Sequence, residues 1–124
     1  MPFLVLGGLF GGLSVALGAF GAHVLKPRLD AYYMDVFQTA VQYQMYHAIA
    51  LVLVAILARQ LGGGSLLHAA GWLFVAGTVI FSGSLYVLTL SGVRAWGAIT
   101  PIGGVMFVVA WILLAISAFR YWNS

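Results

Sequence analysis

The sequence predicts an all-α fold: an integral membrane four-helix bundle with an amphipathic extension before the second span. Three observations predict it. The 124-residue chain is 64% hydrophobic and only 6% charged, whereas a soluble domain carries about 25% charged residues. Five Lys and Arg with two Asp and Glu cannot cover a water-facing surface, so lipid is the natural solvent for this one. The apolar residues also gather into four long, continuous runs. A membrane barrel needs many alternating segments of about ten residues instead. The length suits one compact unit, so residues 1–124 read as a single four-span transmembrane domain.

The first run covers about residues 2–25 and has no ionisable side chain before His23. No Lys or Arg precedes it, so it lacks the basic start of a signal peptide and reads as a span. It ends at Lys26-Pro27-Arg28, where Pro27 opposes helix continuation. The second run, about 43–58, is shorter than the roughly 20 residues that cross a bilayer and must borrow from upstream. On a helical wheel that upstream stretch is two-sided. Leu29, Tyr33, Phe37, Ala40, Val41 and Gln44 share one side; Asp35, Gln38, Thr39, Gln42 and Tyr46 share the other, with Tyr43 and His47 extending the polar arc. One long helix from about residue 30 to 58 is the simplest arrangement. A break near Tyr43, with an interfacial helix before it, is the alternative.

The third run, about 66–90, follows the Gly62-Gly63-Gly64 turn. The fourth, about 96–122, carries Pro101 just inside its start, either capping a first turn or producing a kink. Short connections make successive helices antiparallel neighbours. Four spans put both termini on one side with Arg59 and Arg120, and Lys26, Arg28 and Arg94 on the other. Three against two leans towards termini outside. Trp72, Trp96, Trp122, Tyr32, Tyr33 and Tyr121 lie near span ends, as an aromatic belt does.

Several function classes drop out. The basic residues are scattered at the edges of apolar runs, which is the pattern of interfacial anchors and not of a nucleic-acid surface. The chain has no cysteine, which excludes disulfides, thiolate metal sites and thiol catalysis. Ser14, Ser82, Ser84 and Ser91 have no His–Asp arrangement beside them, and Gly62-Gly63-Gly64 lacks the ending of a phosphate loop. No enzyme activity, cofactor or metal is expected. No carboxylate lies within a span, which argues against the proton-coupled mechanism of small drug transporters. His68 reads as a solvated interfacial histidine.

Two groups of residues remain. Small residues at Gly7-x-x-x-Gly11, Gly8-x-x-x-Gly12 and Ser14-x-x-x-Gly18-x-x-x-Ala22 make helical stripes that let another backbone approach closely. They serve packing inside the bundle or a homo-oligomer interface. The polar residues His23, Gln38, Thr39, Gln42, Tyr43, Gln44, Tyr46 and His47 cluster around the second span. Polar groups at membrane depth usually face the bundle interior. They form either a pocket for a proton, small solute or lipid head group, or a hydrogen-bonded knot joining the first two spans. In either reading His23, at the end of the first run, is placed to face the second span; in the knot reading Gln42→Leu costs roughly 1 kcal/mol, near the ~0.6 of membrane hydrogen bonds.

These residues also carry a resemblance. Gly18-Ala19-Phe20-Gly21-Ala22-His23 and Phe37-Gln38-Thr39-Ala40-Val41-Gln42-Tyr43-Gln44-Met45-Tyr46-His47-Ala48 resemble the signature of the domain-of-unknown-function 423 family, whose eukaryotic relatives are called transmembrane protein 256. The likeness continues through Phe81-Ser82-Gly83-Ser84-Leu85-Tyr86 and Thr100-Pro101-Ile102-Gly103-Gly104. The resemblance implies a small multi-pass protein of the bacterial cytoplasmic membrane and no particular activity. It adds weight to His23, Gln38, Thr39, Gln42, Tyr43, Gln44 and His47. The expected function is association with itself, with lipid or with a larger membrane complex. A small-solute or ion pathway lined by His23, Gln42, Tyr43 and His47 is the alternative, and a haem or quinone site at the same histidines the third.

Overall fold

Long apolar runs make the helices, and glycine, proline and aspartate set their ends. The computed structural model describes residues 2–123. Helix α1 spans Phe3–Phe20 and passes into one π turn, Gly21–Leu25, in which the Lys26 amide donates to the Gly21 carbonyl at 2.9 Å. Pro27 lies in the turn that follows. Helix α2 spans Ala31–Leu61 and starts at Asp30, whose side chain accepts from the Tyr33 amide at 3.0 Å. That bond satisfies one of the free donors of a helix start. The helix runs without a break at Tyr43, so the amphipathic extension and the second span are one element.

Gly62 and Gly63 stop α2 in the left-handed region, at φ +83° and +75°, where a side chain would be strained. Helix α3 spans Ser65–Ser91 and ends the same way at Gly92. A short 3-10 turn, Arg94–Ala98, leads into α4, Thr100–Trp122. Pro101 sits in the first turn of α4, where its missing N–H costs nothing, so it starts the helix and does not kink it. All four helices are long and apolar enough to cross a membrane, and no strand occurs among the described residues.

Helix α1 packs on α2, α2 on α3, and α3 on α4. The central pair is α2 and α3, with ten and eleven buried residues against three each in α1 and α4. On α2, Val41, Ala48 and Val52 face α1, whereas Tyr43 and His47 face α4. The outer helices therefore lie on opposite sides of the central pair. The main core gathers Phe3, Leu51, Val54, Leu67, Phe74 and Phe107. Leu9, Val15, Val105 and Val108 face outwards, as side chains solvated by lipid do.

The end away from the termini is tied together by its aromatics. The Arg94 guanidinium lies 4.2 Å from the Tyr32 ring centroid, and the Tyr33 hydroxyl donates to the Gly92 carbonyl at 3.3 Å. The start of α2 is thus fastened to the loop between α3 and α4.

Candidate functional site: an interhelical polar core and the groove beside it

Two polar side chains of α2 turn inwards, Gln44 and His47, and both are nearly fully buried. The Gln44 amide group donates to the Phe10 carbonyl of α1 at 2.9 Å. Its oxygen accepts from the Tyr86 hydroxyl of α3 at 2.6 Å. One side chain therefore joins three helices. Ser14 of α1 donates to the Val41 carbonyl and Ser82 of α3 to the Ala40 carbonyl, each at 2.8 Å. Both acceptors are helix carbonyls that use their second lone pair. Ser84 and Thr100 share a 2.6 Å hydrogen bond between α3 and α4.

His47 joins α2 to α4. Its Nδ1 lies 2.7 Å from the Tyr43 carbonyl, and its Nε2 lies 3.1 Å from the Trp111 indole nitrogen. A carbonyl accepts and an indole donates, so the ring is the neutral tautomer with its proton on Nδ1. The imidazole lies flat on Phe107, centroids 3.6 Å apart and planes 4° apart.

The seam between α1 and α2 is made of small residues. Gly7, Gly11, Ser14, Gly18 and Gly21 follow one another at alternating spacings of four and three, the period of a coiled-coil seam. A Cβ on Gly7 would stand 2.9 Å from the Ala48 carbonyl oxygen, and one on Gly21 would stand 2.7 Å from the Phe37 ring. Ala22 is exposed. The expected stripe thus ends on Gly21, not Ala22, because the seam steps by three after Gly18.

The remaining sequence-derived candidates do not join this core. His23, Gln38 and Gln42 are exposed. Gln38 and Gln42 line a shallow pocket of about 330 Å³ beside Gly18 and Ala22. Thr39 is half-buried and donates to the Asp35 carbonyl of its own helix at 3.0 Å. Tyr43 and His47 instead border a different cavity, so the four residues expected to line a solute path do not surround a common space. Among the described residues, no three His, Cys, Asp or Glu side chains gather as a metal site would need. Sequence reasoning missed Ser82, Tyr86, Thr100 and Trp111 as partners. Ser82 and Tyr86 lie one turn apart on the third span, and that spacing was the available signal.

The second cavity is a groove of about 680 Å³ between α2 and α4. Tyr43, Tyr46 and His47 form one wall, and Pro101, Val105 and Trp111 form the other. Phe81 and Phe107 close its base, with Tyr43 stacked on Phe81 at 4.6 Å.

Four bilayer-length helices held by interhelical hydrogen bonds and glycine seams define a small multi-pass membrane protein. The chain belongs to the family of proteins of unknown function DUF423, whose model matches residues 17–104. It is 48% identical to the UPF0382 membrane protein YwdK of Bacillus subtilis over 119 residues, covering 96% of this chain and 97% of the relative. It is 47% identical to a UPF0382 membrane protein of Staphylococcus haemolyticus, covering 96% of each. A third relative, from Staphylococcus aureus, is 43% identical over 96% of each chain. No solved structure matches the chain.

Proposed function

We propose that the protein acts by association within the bacterial cytoplasmic membrane and is not an enzyme. The observation that supports this reading is that α1 carries two small-residue faces with different surroundings. Gly7, Gly11, Ser14 and Gly18 pack on α2. Gly8 and Gly12, on the adjoining face, have nothing within 4 Å of where a Cβ would stand. A shallow, glycine-lined face towards lipid suits close approach by the backbone of another helix. A second copy of the chain or a subunit of a membrane complex fits there. The cytoplasmic membrane is the setting because bacterial outer-membrane spans are barrels.

The chain has no cysteine, so crosslinking tests this cleanly. Gly8→Cys and Gly12→Cys are each expressed at native level and oxidised in intact membranes. Disulfide-linked dimers or adducts are expected from both, and not from Val105→Cys on the far side of the bundle. Monomers alone from both glycine positions, with no crosslinked partner, would contradict the reading.

A further inference from the structure

The groove between α2 and α4 has a chemistry that phospholipid does not match. Its base and one wall are lined by aromatic rings, with Tyr43 stacked on Phe81 and His47 on Phe107. Flat rings pack well against such surfaces. Its volume of about 680 Å³ lies within the roughly 300–1,000 Å³ of small-molecule sites. Neither the Tyr43 nor the Tyr46 hydroxyl makes a hydrogen bond to another described residue, although both rings border the cavity.

The depth of the Tyr46 hydroxyl decides the ligand class. Tyr43 and Tyr46 lie eight and eleven positions beyond the exposed Asp35 on the same unbroken helix. At 1.5 Å per residue that is about 12 and 16 Å further along the axis. With its side chain leaning back by one turn, the Tyr43 hydroxyl is about 7 Å deeper than Asp35. Leaning back in the same way, the Tyr46 hydroxyl is about 11 Å deeper than Asp35. There a phenol donor without an acceptor is costly. Acyl chains offer no acceptor, and the ester carbonyls of phospholipids stay at the interface. A compound that dissolves in the hydrocarbon and carries its own carbonyl oxygens answers both needs.

We infer that this groove binds a membrane-dissolved ring compound with carbonyl oxygens, of the quinone class. The ring lies against Tyr43, Phe81 and Phe107, and the Tyr46 and Tyr43 hydroxyls donate to its carbonyls. The lateral opening beside Val105 and Val108 lets a hydrocarbon tail leave towards lipid. The inference concerns binding alone and does not depend on self-association through α1.

The full-length protein in nanodiscs is titrated with ubiquinone-1, with quenching of its tryptophan fluorescence as the readout. Saturable quenching is expected, weakened at least tenfold in Tyr46→Phe and further in Tyr43→Phe/Tyr46→Phe. Both variants are expected to melt at the wild-type temperature, because neither hydroxyl holds the fold together. Val105→Trp, which narrows the opening, is expected to weaken binding as well, and methyl oleate is expected not to compete. Quenching that rises linearly without saturation would overturn the inference. So would equal binding by the wild type and the folded double Phe variant, or competition by methyl oleate at the same concentration as the quinone. These outcomes leave the crosslinking at Gly8 and Gly12 untouched.

Discussion

Gln42 and Gln44 are two positions apart on one helix and face opposite surroundings. Gln42 is exposed. Gln44 is nearly fully buried and bonds to both Phe10 and Tyr86. Membrane interhelical hydrogen bonds average about 0.6 kcal/mol, with a maximum near 1.7. Gln44→Leu is therefore expected to lower unfolding free energy by about 1 kcal/mol, read by denaturant titration in bicelles. Gln42→Leu is expected to leave it unchanged within about 0.5 kcal/mol, which reverses the expectation drawn from the sequence. Tyr86→Phe removes one of the two bonds at Gln44 and is expected to cost about half as much as Gln44→Leu. The periodicity of α2 correctly put Gln44 on the face of Phe37 and Ala40. It misassigned the opposite arc because polar residues turned to an interface and polar residues turned to a partner helix follow the same period. Only the positions of α1, α3 and α4 separate the two, and one helix does not encode its neighbours' positions. For the same reason Trp111 was unreadable as the partner of His47, 64 positions away.

At the scale of elements, glycine sets how closely the helices approach. A Cβ on Gly103 would stand 2.6 Å from the Phe81 backbone nitrogen, so α3 and α4 touch main chain to main chain there. Backbone cannot swing aside as a side chain can. Gly103→Ala is expected to force the helices apart and cost on the order of 1–3 kcal/mol. Gly83→Ala meets nothing within 4 Å and is expected to keep the melting temperature of the wild type. The contrast is read in one thermal-melt series on both variants. The spans themselves were legible, since runs of apolar residues, Pro27, Pro101 and the glycine turn state them directly. The finer features were not. The π turn at Gly21–Leu25 has no composition of its own, and whether Gly21 or Ala22 closes the seam depends on a step of three or four that small residues at both positions leave open.

For the whole molecule, two central helices flanked by two outer ones leave wide faces to lipid, and the buried Ser14, Gln44, His47, Ser82 and Ser84 act as joints between helices. The arrangement fits a chain whose relatives are membrane proteins and whose charges lie at the ends of its helices. Lys26, Arg28 and Arg94 stand at one end of the bundle, and Arg59 and Arg120 at the other. Four crossings place the turn between α2 and α3 on the same side as the C-terminus. They place the turn after α1 and the turn before α4 together on the opposite side. Single-cysteine variants at Gly64, Asn123, Arg28 and Val93, probed on intact cells with a membrane-impermeant thiol reagent, test this most directly. Gly64→Cys and Asn123→Cys are expected to label as one pair and Arg28→Cys and Val93→Cys as the other, with only one pair accessible before the cells are opened. Labelling of Gly64→Cys together with Arg28→Cys in intact cells would contradict four membrane crossings.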